Sequence, residues 1–259
     1  NDGYDPPKAN IDQLLLNILP QTVTAMSQLE AGEIDINNIS VTDIEIVEAN
    51  PNLTLSAEPS IQLRVLAPNI SRPALADKRV RQAMHYALDR QAMADELYLG
   101  HATVINSPFF AWEWEDGQAP VPNAYPYDPD MARSLLADAG WSSDQFELKM
   151  HYIPGNPFDD SLINVIHQQY AEVGINYELV QVDVTEYTNR VVSGAPADGS
   201  ATGDFDLLMV SGGVMGAEPN ITARYFDTAS KTPFGSIYGH YSNARVDELY
   251  IQGRFIFYD

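Results

Sequence analysis

Two tryptophans alternate with two glutamates at Trp112, Glu113, Trp114 and Glu115, and Asp116 follows directly. An indole presents a flat apolar face and one N–H donor, which suits stacking on a sugar or against an apolar side chain. Packing in a core would serve the same ring equally well. Paired carboxylates perform acid–base chemistry on glycosides when one of them is buried. Adjacent acids on an exposed loop are more simply solvated, so no catalytic residue is assigned. A carbohydrate-active hydrolase using Glu113 or Glu115 stands as the alternative.

A second candidate is the run Ser211 to Pro219, SGGVMGAEP, directly after the apolar segment Phe205 to Val210. In an open α/β sheet, ligands occupy the crevice beyond the carboxyl ends of the strands. Gly212 and Gly213 would let a ligand approach the backbone closely, with Met215 beside them. An ordinary turn from strand to helix is the other reading of the same residues. The five histidines, His85, His101, His151, His167 and His240, include no pair at i+3 or i+4, so no zinc-type spacing exists. Nor is there a nucleophile elbow or a phosphate-binding loop. No metal and no cofactor are expected.

The elements that must position these residues belong to a chain of 259 residues, enough for one large domain or two ordinary ones. Its net charge of −22, from 36 acidic and 14 basic side chains, argues against nucleic acid and against anionic membrane surfaces as partners. With no cysteine, disulfides and thiolate chemistry are excluded. No apolar run approaches the roughly 20 residues of a membrane span, and no signal peptide is evident. Because the first residue is Asn1, a processed or excised product is expected. The greasy end, Leu249 to Tyr258, suggests truncation there.

Leu14 to Leu19 reads as a buried strand, Thr22 to Ala31 as a helix ended by Gly32, and Ile34 to Ile36 as a further strand. This opening has βαβ character and favours a mixed or parallel sheet. Ser40 to Ala49 predicts a helix capped by Ser40 or Thr42, with short strands at Leu53 to Leu55 and Ile61 to Leu66. Asp77 to Gly100 predicts a broken amphipathic helix. Val80, Ala83, Met84, Ala87 and Leu88 form its apolar face, Asp89 caps the second half and Gly100 closes it. Its first turn carries Lys78, Arg79 and Arg81, where the helix dipole disfavours cations. Ser107 to Pro126 reads as a long loop. Asp128 and Pro129 start a helix whose stripe is Met131, Leu135, Leu136 and Ala139. Alternation predicts strands at Phe146 to Tyr152 and Asn176 to Val182, with a helix between them capped by Asp159 or Asp160 and ended by Gly174. Its buried face is Leu162, Ile163, Ile166, Tyr170 and Val173.

Five of these segments together resemble the family 5 solute-binding proteins, extracytoplasmic receptors of peptide, nickel and oligosaccharide ABC importers. They are Leu29 with Gly32 to Asp35 (LxxGEID), Val80 to Arg90 (VRQAxxYAxDR), Tyr127 to Trp141 (YDPxxARxLLxxAGW), Val173 to Asn176 (VGIN) with the strand FDLLMV, and Tyr241 to Leu249 (YxNxxxDxL). Their order and spacing carry the resemblance more than any single motif.

The resemblance implies an α/β fold of the type II periplasmic-binding-protein kind, two mixed-sheet lobes joined by a hinge. Residues 1–107 would be part of the first lobe and 108–259 the second, with N-terminal and C-terminal portions of the full protein missing. The implied role is non-catalytic capture of a small solute, peptide or oligosaccharide, for a membrane ABC permease, with a sensor that keeps the receptor fold as a further alternative. The protein would be a monomer, periplasmic or extracellular, and lipid-anchored in some full-length forms. In the family's peptide binders an Asp after the strand matching Phe205 to Val210 pairs with the peptide amine, and Met215 stands there in this chain. A thioether cannot compensate a buried ammonium. The expected ligand contacts are Trp112, Trp114, Gly212, Gly213 and Met215.

Overall fold

A computed structural model describes residues 11–19, 21–57, 62–106, 125–142, 148–155, 157–187, 205–214, 223–228 and 241–256. Its contacts divide the chain into two compact units, Asn1–Glu58 and Pro59–Asp259.

In the first unit, helix α1 spans Thr22–Ala31 without a side-chain cap at its start. Gly32 ends it at φ +72°, and the N–H groups of Gly32 and Glu33 close on Leu29 and Gln28. Such a left-handed terminus costs glycine nothing. Ser40 accepts from the Thr42 N–H and opens a single 3-10 turn that leads into α2, Ile44–Ala49. The strands expected at Leu14 to Leu19, Ile34 to Ile36 and Leu53 to Leu55 do not form. A strand is half of a ladder, and among the described residues these segments pair with nothing. Leu16 is 85% exposed and Ile18 92%.

The second unit starts with β1, Gln62–Pro68, followed by α3, Pro73–Ala76, and α4, Lys78–Tyr86. The helix breaks at Asp89 as expected, and α5 runs over Arg90–Leu97 with the Asp89 carboxylate accepting from the Ala92 N–H. The basic first turn of α4 has a tertiary explanation. Arg79 pairs with Asp77 at 2.6 Å and donates to the Asp138 carbonyl, while Arg81 donates to the carbonyls of Leu75 and Ala76. These cations therefore serve the carboxyl ends of neighbouring helices, where the dipole favours them. Hydrogen bonds from Arg79 hold the Asp77 carboxyl below its usual range.

Helix α6, Pro129–Asp138, follows Asp128, which accepts from the Met131 N–H. Met131 is exposed, contrary to the expected stripe, and Ala132 and Leu136 bury the helix. Strand β2, Leu148–Tyr152, crosses through α7, Pro157–Glu172, to the parallel β3, Tyr177–Gln181. Helix α7 begins two residues ahead of the expected caps, which places Asp159 and Asp160 in its first turn. All five apolar positions expected to be buried here are buried. After α8, Val184–Tyr187, comes β4, Leu207–Val214; α9, Ala223–Phe226, and α10, Ala244–Ile256, complete the unit.

The sheet has the order β1-β4-β2-β3, with β4 and β3 parallel to β2 and β1 antiparallel to β4. It is mixed, as expected. Asp206 ties its centre together by pairing with Arg72 and accepting from the Lys149 N–H. One apolar core joins α3, α4, α6 and α7 to β2 and β4, with Leu75, Met150 and Leu207 fully buried.

Candidate functional site

Because β2, β3 and β4 run parallel, their carboxyl ends share one edge of the sheet. In open α/β sheets that edge is where ligands bind. Ile153, Pro154, Gln181, Val182, Asp183 and Val184 line a shallow recess of about 390 Å³ there. A smaller recess of about 80 Å³ lies beside it, between Tyr152, Ile153, Asp159, Ile163, Tyr187 and Met209. The walls are largely apolar, with a few fixed polar groups. The Tyr152 hydroxyl accepts from Gln181 Nε2 at 2.8 Å, and the Tyr187 hydroxyl donates to the Met209 carbonyl at 3.4 Å.

One charged pair stands at this edge. Arg64 Nε donates to Asp159 Oδ1 at 2.8 Å, joining β1 to the first turn of α7. The Asp159 side chain is 7% exposed and that of Arg64 27%. At the end of α5, Tyr98 stacks on Phe158 with ring centroids 5.7 Å apart. Its buried hydroxyl lies close to Arg64, and burial raises its pKa.

The glycine-rich run differs from expectation. Ser211 to Val214 do not turn after the strand; they extend β4, because β1 supplies a partner ladder. Leu63 pairs with Gly213 and Arg64 with Ser211, so Gly212 is the extra residue of a β-bulge. Gly212 and Gly213 thus lie in the strand that reaches the carboxyl edge. Trp112, Glu113, Trp114, Glu115 and Met215 lie outside the described residues.

The sequence marks Asp159 only as a helix-cap candidate and does not mark its pairing with Arg64. They stand 95 positions apart, beyond any local pattern. The one available signal was an arginine inside the apolar run LRVLA. Among the described residues, no three His, Cys, Asp or Glu are grouped to hold a metal, and no helix is long and apolar enough to cross a membrane.

A sequence model described as "Bacterial extracellular solute-binding proteins, family 5 Middle" matches residues 1–233. The chain belongs to this family. Heme-binding protein A of Haemophilus influenzae is 26% identical over 75% of this chain and 36% of its own length. The oligopeptide-binding protein of Bacillus subtilis is 25% identical over 96% of the chain and 46% of its own. In three dimensions, an ABC transporter-associated periplasmic binding protein from Helicobacter pylori, solved with a peptide, aligns with a TM-score of 0.77. It is 21% identical and matches 97% of this chain against 47% of its own. This family 5 chain thus spans less than half the length of these relatives. Its α/β architecture with a mixed sheet is that of the type II periplasmic binding proteins.

Proposed function

We propose that this chain forms part of the solute-binding component of an ABC importer, which captures an oligopeptide outside the cytoplasmic membrane and delivers it to a membrane permease. The observation that carries this reading is the family match over residues 1–233. The apolar recesses at the carboxyl edge of the sheet support it, because small-molecule sites are concave, mostly apolar and orient ligands with few polar groups. Relatives named for oligopeptides, and a structure solved with a peptide, favour peptide over oligosaccharide. Oligosaccharide remains the runner-up through the stacking capacity of Trp112 and Trp114.

The chemistry is binding without catalysis. Two lobes close on the solute by hinge bending, with Trp112, Trp114, Gly212, Gly213 and Met215 as ligand contacts. The protein works as a monomer, in the periplasm or at the cell surface, where a lipid anchor would hold it in some forms. Isothermal titration of the intact protein against peptide and oligosaccharide panels tests this. Saturable binding of peptides is expected, and no binding to either panel would overturn the transport role.

A further inference from the structure

Four Asn-x-Ser/Thr tripeptides occur in the chain, at Asn38-Ile39-Ser40, Asn52-Leu53-Thr54, Asn69-Ile70-Ser71 and Asn220-Ile221-Thr222, none with proline in the middle. Outside the cytoplasm this is the acceptor pattern for N-linked glycans. The side-chain amide takes the sugar, and the hydroxyl two residues on is read by the transferring enzyme. The pattern alone decides little. A glycan is bulky and polar, so the amide must be exposed and the backbone around it free of helix and ladder.

The fold sorts the tripeptides on those terms. Asn52 is exposed at the third position of a turn in which the Leu53 N–H closes on the Asn50 carbonyl at 3.0 Å. Pro51 occupies the second position, which its fixed φ suits. The Asn50 side chain accepts from the Asn52 N–H at 3.0 Å, so Asn50 holds the turn. Among the described residues the Asn52 side chain makes no hydrogen bond, and Thr54 is exposed in a stretch, 53–57, that is neither helix nor strand. Asn38 is the second open site. It is exposed, and residues 36–40 form neither helix nor strand ahead of the turn that Ser40 caps. The Ser40 hydroxyl accepts from Thr42 Oγ1 at 3.0 Å and keeps its own proton to donate.

Asn69 is the opposite case. It is fully buried, its Nδ2 donates to the Phe205 carbonyl at 3.1 Å, and its Oδ1 accepts from the Ser71 N–H and hydroxyl at 3.1 and 2.6 Å. Both ends of the amide and the hydroxyl of the tripeptide serve the fold, and a sugar there has no room. Asn220 lies outside the described residues.

We infer that Asn52 and Asn38 are acceptor sites for N-linked glycans, and that Asn69 is not, although it carries the same pattern. This rests on the extracytoplasmic location proposed above and is independent of the solute's identity. The donor is an oligosaccharide joined through its anomeric carbon to a polyprenyl phosphate or pyrophosphate. The bond from that carbon to the phosphate oxygen breaks and a bond from asparagine Nδ2 forms. The lipid phosphate leaves with the electron pair, and one Nδ2 proton passes to a base of the transferring enzyme. Both sites belong to the unit Asn1–Glu58.

The test is glycopeptide mass spectrometry of the full-length protein purified from the cells that natively make it. Cell fractionation and titration with the peptide panel are run on the same material. Peptides containing Asn52 and Asn38 should carry a glycan mass that electron-transfer fragmentation places on the asparagine, and the Asn69 peptide should carry none. Asn52→Gln and Asn38→Gln should each remove one gel-mobility step. Thr54→Ala should empty Asn52 while leaving that asparagine in place, and Thr54→Ser should retain the glycan. Should a variant fail to accumulate, the glycopeptide map of the natural sequence decides the matter. An exported protein bare at both Asn38 and Asn52 overturns the inference, as does a glycan on Asn69 in the folded protein or one on Asn52 that survives Thr54→Ala. A bare protein that binds peptides leaves solute capture standing, and a glycosylated one that binds no solute leaves only the glycan sites. A protein confined to the cytoplasm removes both.

Discussion

The two units treat their apolar residues in opposite ways. In Asn1–Glu58, Leu14, Leu15, Leu16 and Ile18 form an apolar run that remains exposed and, among the described residues, joins no ladder. In Pro59–Asp259, the equally apolar Leu207 and Leu208 are fully buried in a strand with neighbours on both sides. The residue types hardly differ. What differs is whether a neighbouring strand supplies hydrogen-bond partners and a face to pack against.

The largest expected effect tests that contrast directly. Leu207→Ala should cost about 3 kcal/mol in urea unfolding of this chain. Leu16→Ala should stay within about 0.5 kcal/mol. Comparable losses at both sites would show that the first unit buries its strand-like segment after all.

Next is the charged pair that ties β1 to α7. Arg64→Ala leaves the nearly buried Asp159 without its partner and should destabilise the second unit by about 2 kcal/mol. A loss below about 0.5 kcal/mol in the same unfolding measurement would place Asp159 in water.

Helix starts offer a smaller and reciprocal comparison. Asp89→Ala removes the cap of α5 and should cost about 1 kcal/mol. Helix α1 has no side-chain cap at Gln21, so Gln21→Asp should add helix stability of up to about 1 kcal/mol. Amide hydrogen exchange in α1 reads this gain, and unchanged protection would break the comparison.

The smallest effect is a pH dependence at the start of α4. The folded pKa of Asp77 is lowered by its bonds to Arg79, so the unfolded chain binds more protons in the acid range. Its contribution is complete above the unfolded carboxylate pKa of about 3.9 and fades as pH falls through the lower folded value. Asp77→Asn should flatten the acid limb of the stability–pH curve slightly and leave the neutral region's slope unchanged. Thermal melts between pH 2 and 7 check this.

Much of the second unit is legible in the chain because its signals are local. The break at Asp89, the Asp128-Pro129 start and the stripe from Leu162 to Val173 each depend on residues within a few positions of one another. The failures involve partners distant in sequence. Ser211 to Val214 look like a turn because of their glycines, yet β1, nearly 150 positions earlier, holds them in a strand. Arg79 and Arg81 look misplaced at a helix start until the carbonyls of Asp138, Leu75 and Ala76 are brought beside them. For the candidate site, the glycines of β4 could be singled out from composition, while Arg64 could not.

Periodicity and capping residues were enough to place most helices and the strands of the second unit, and the ordered family motifs to imply the α/β class with its mixed sheet, since each is written in side chains close along the chain. Strand pairing, the bulge at Gly212 and the joining of Arg64 to Asp159 belong to the folded molecule alone. A ladder or an ion pair exists only when two distant segments meet, and neither segment carries a local mark of the other.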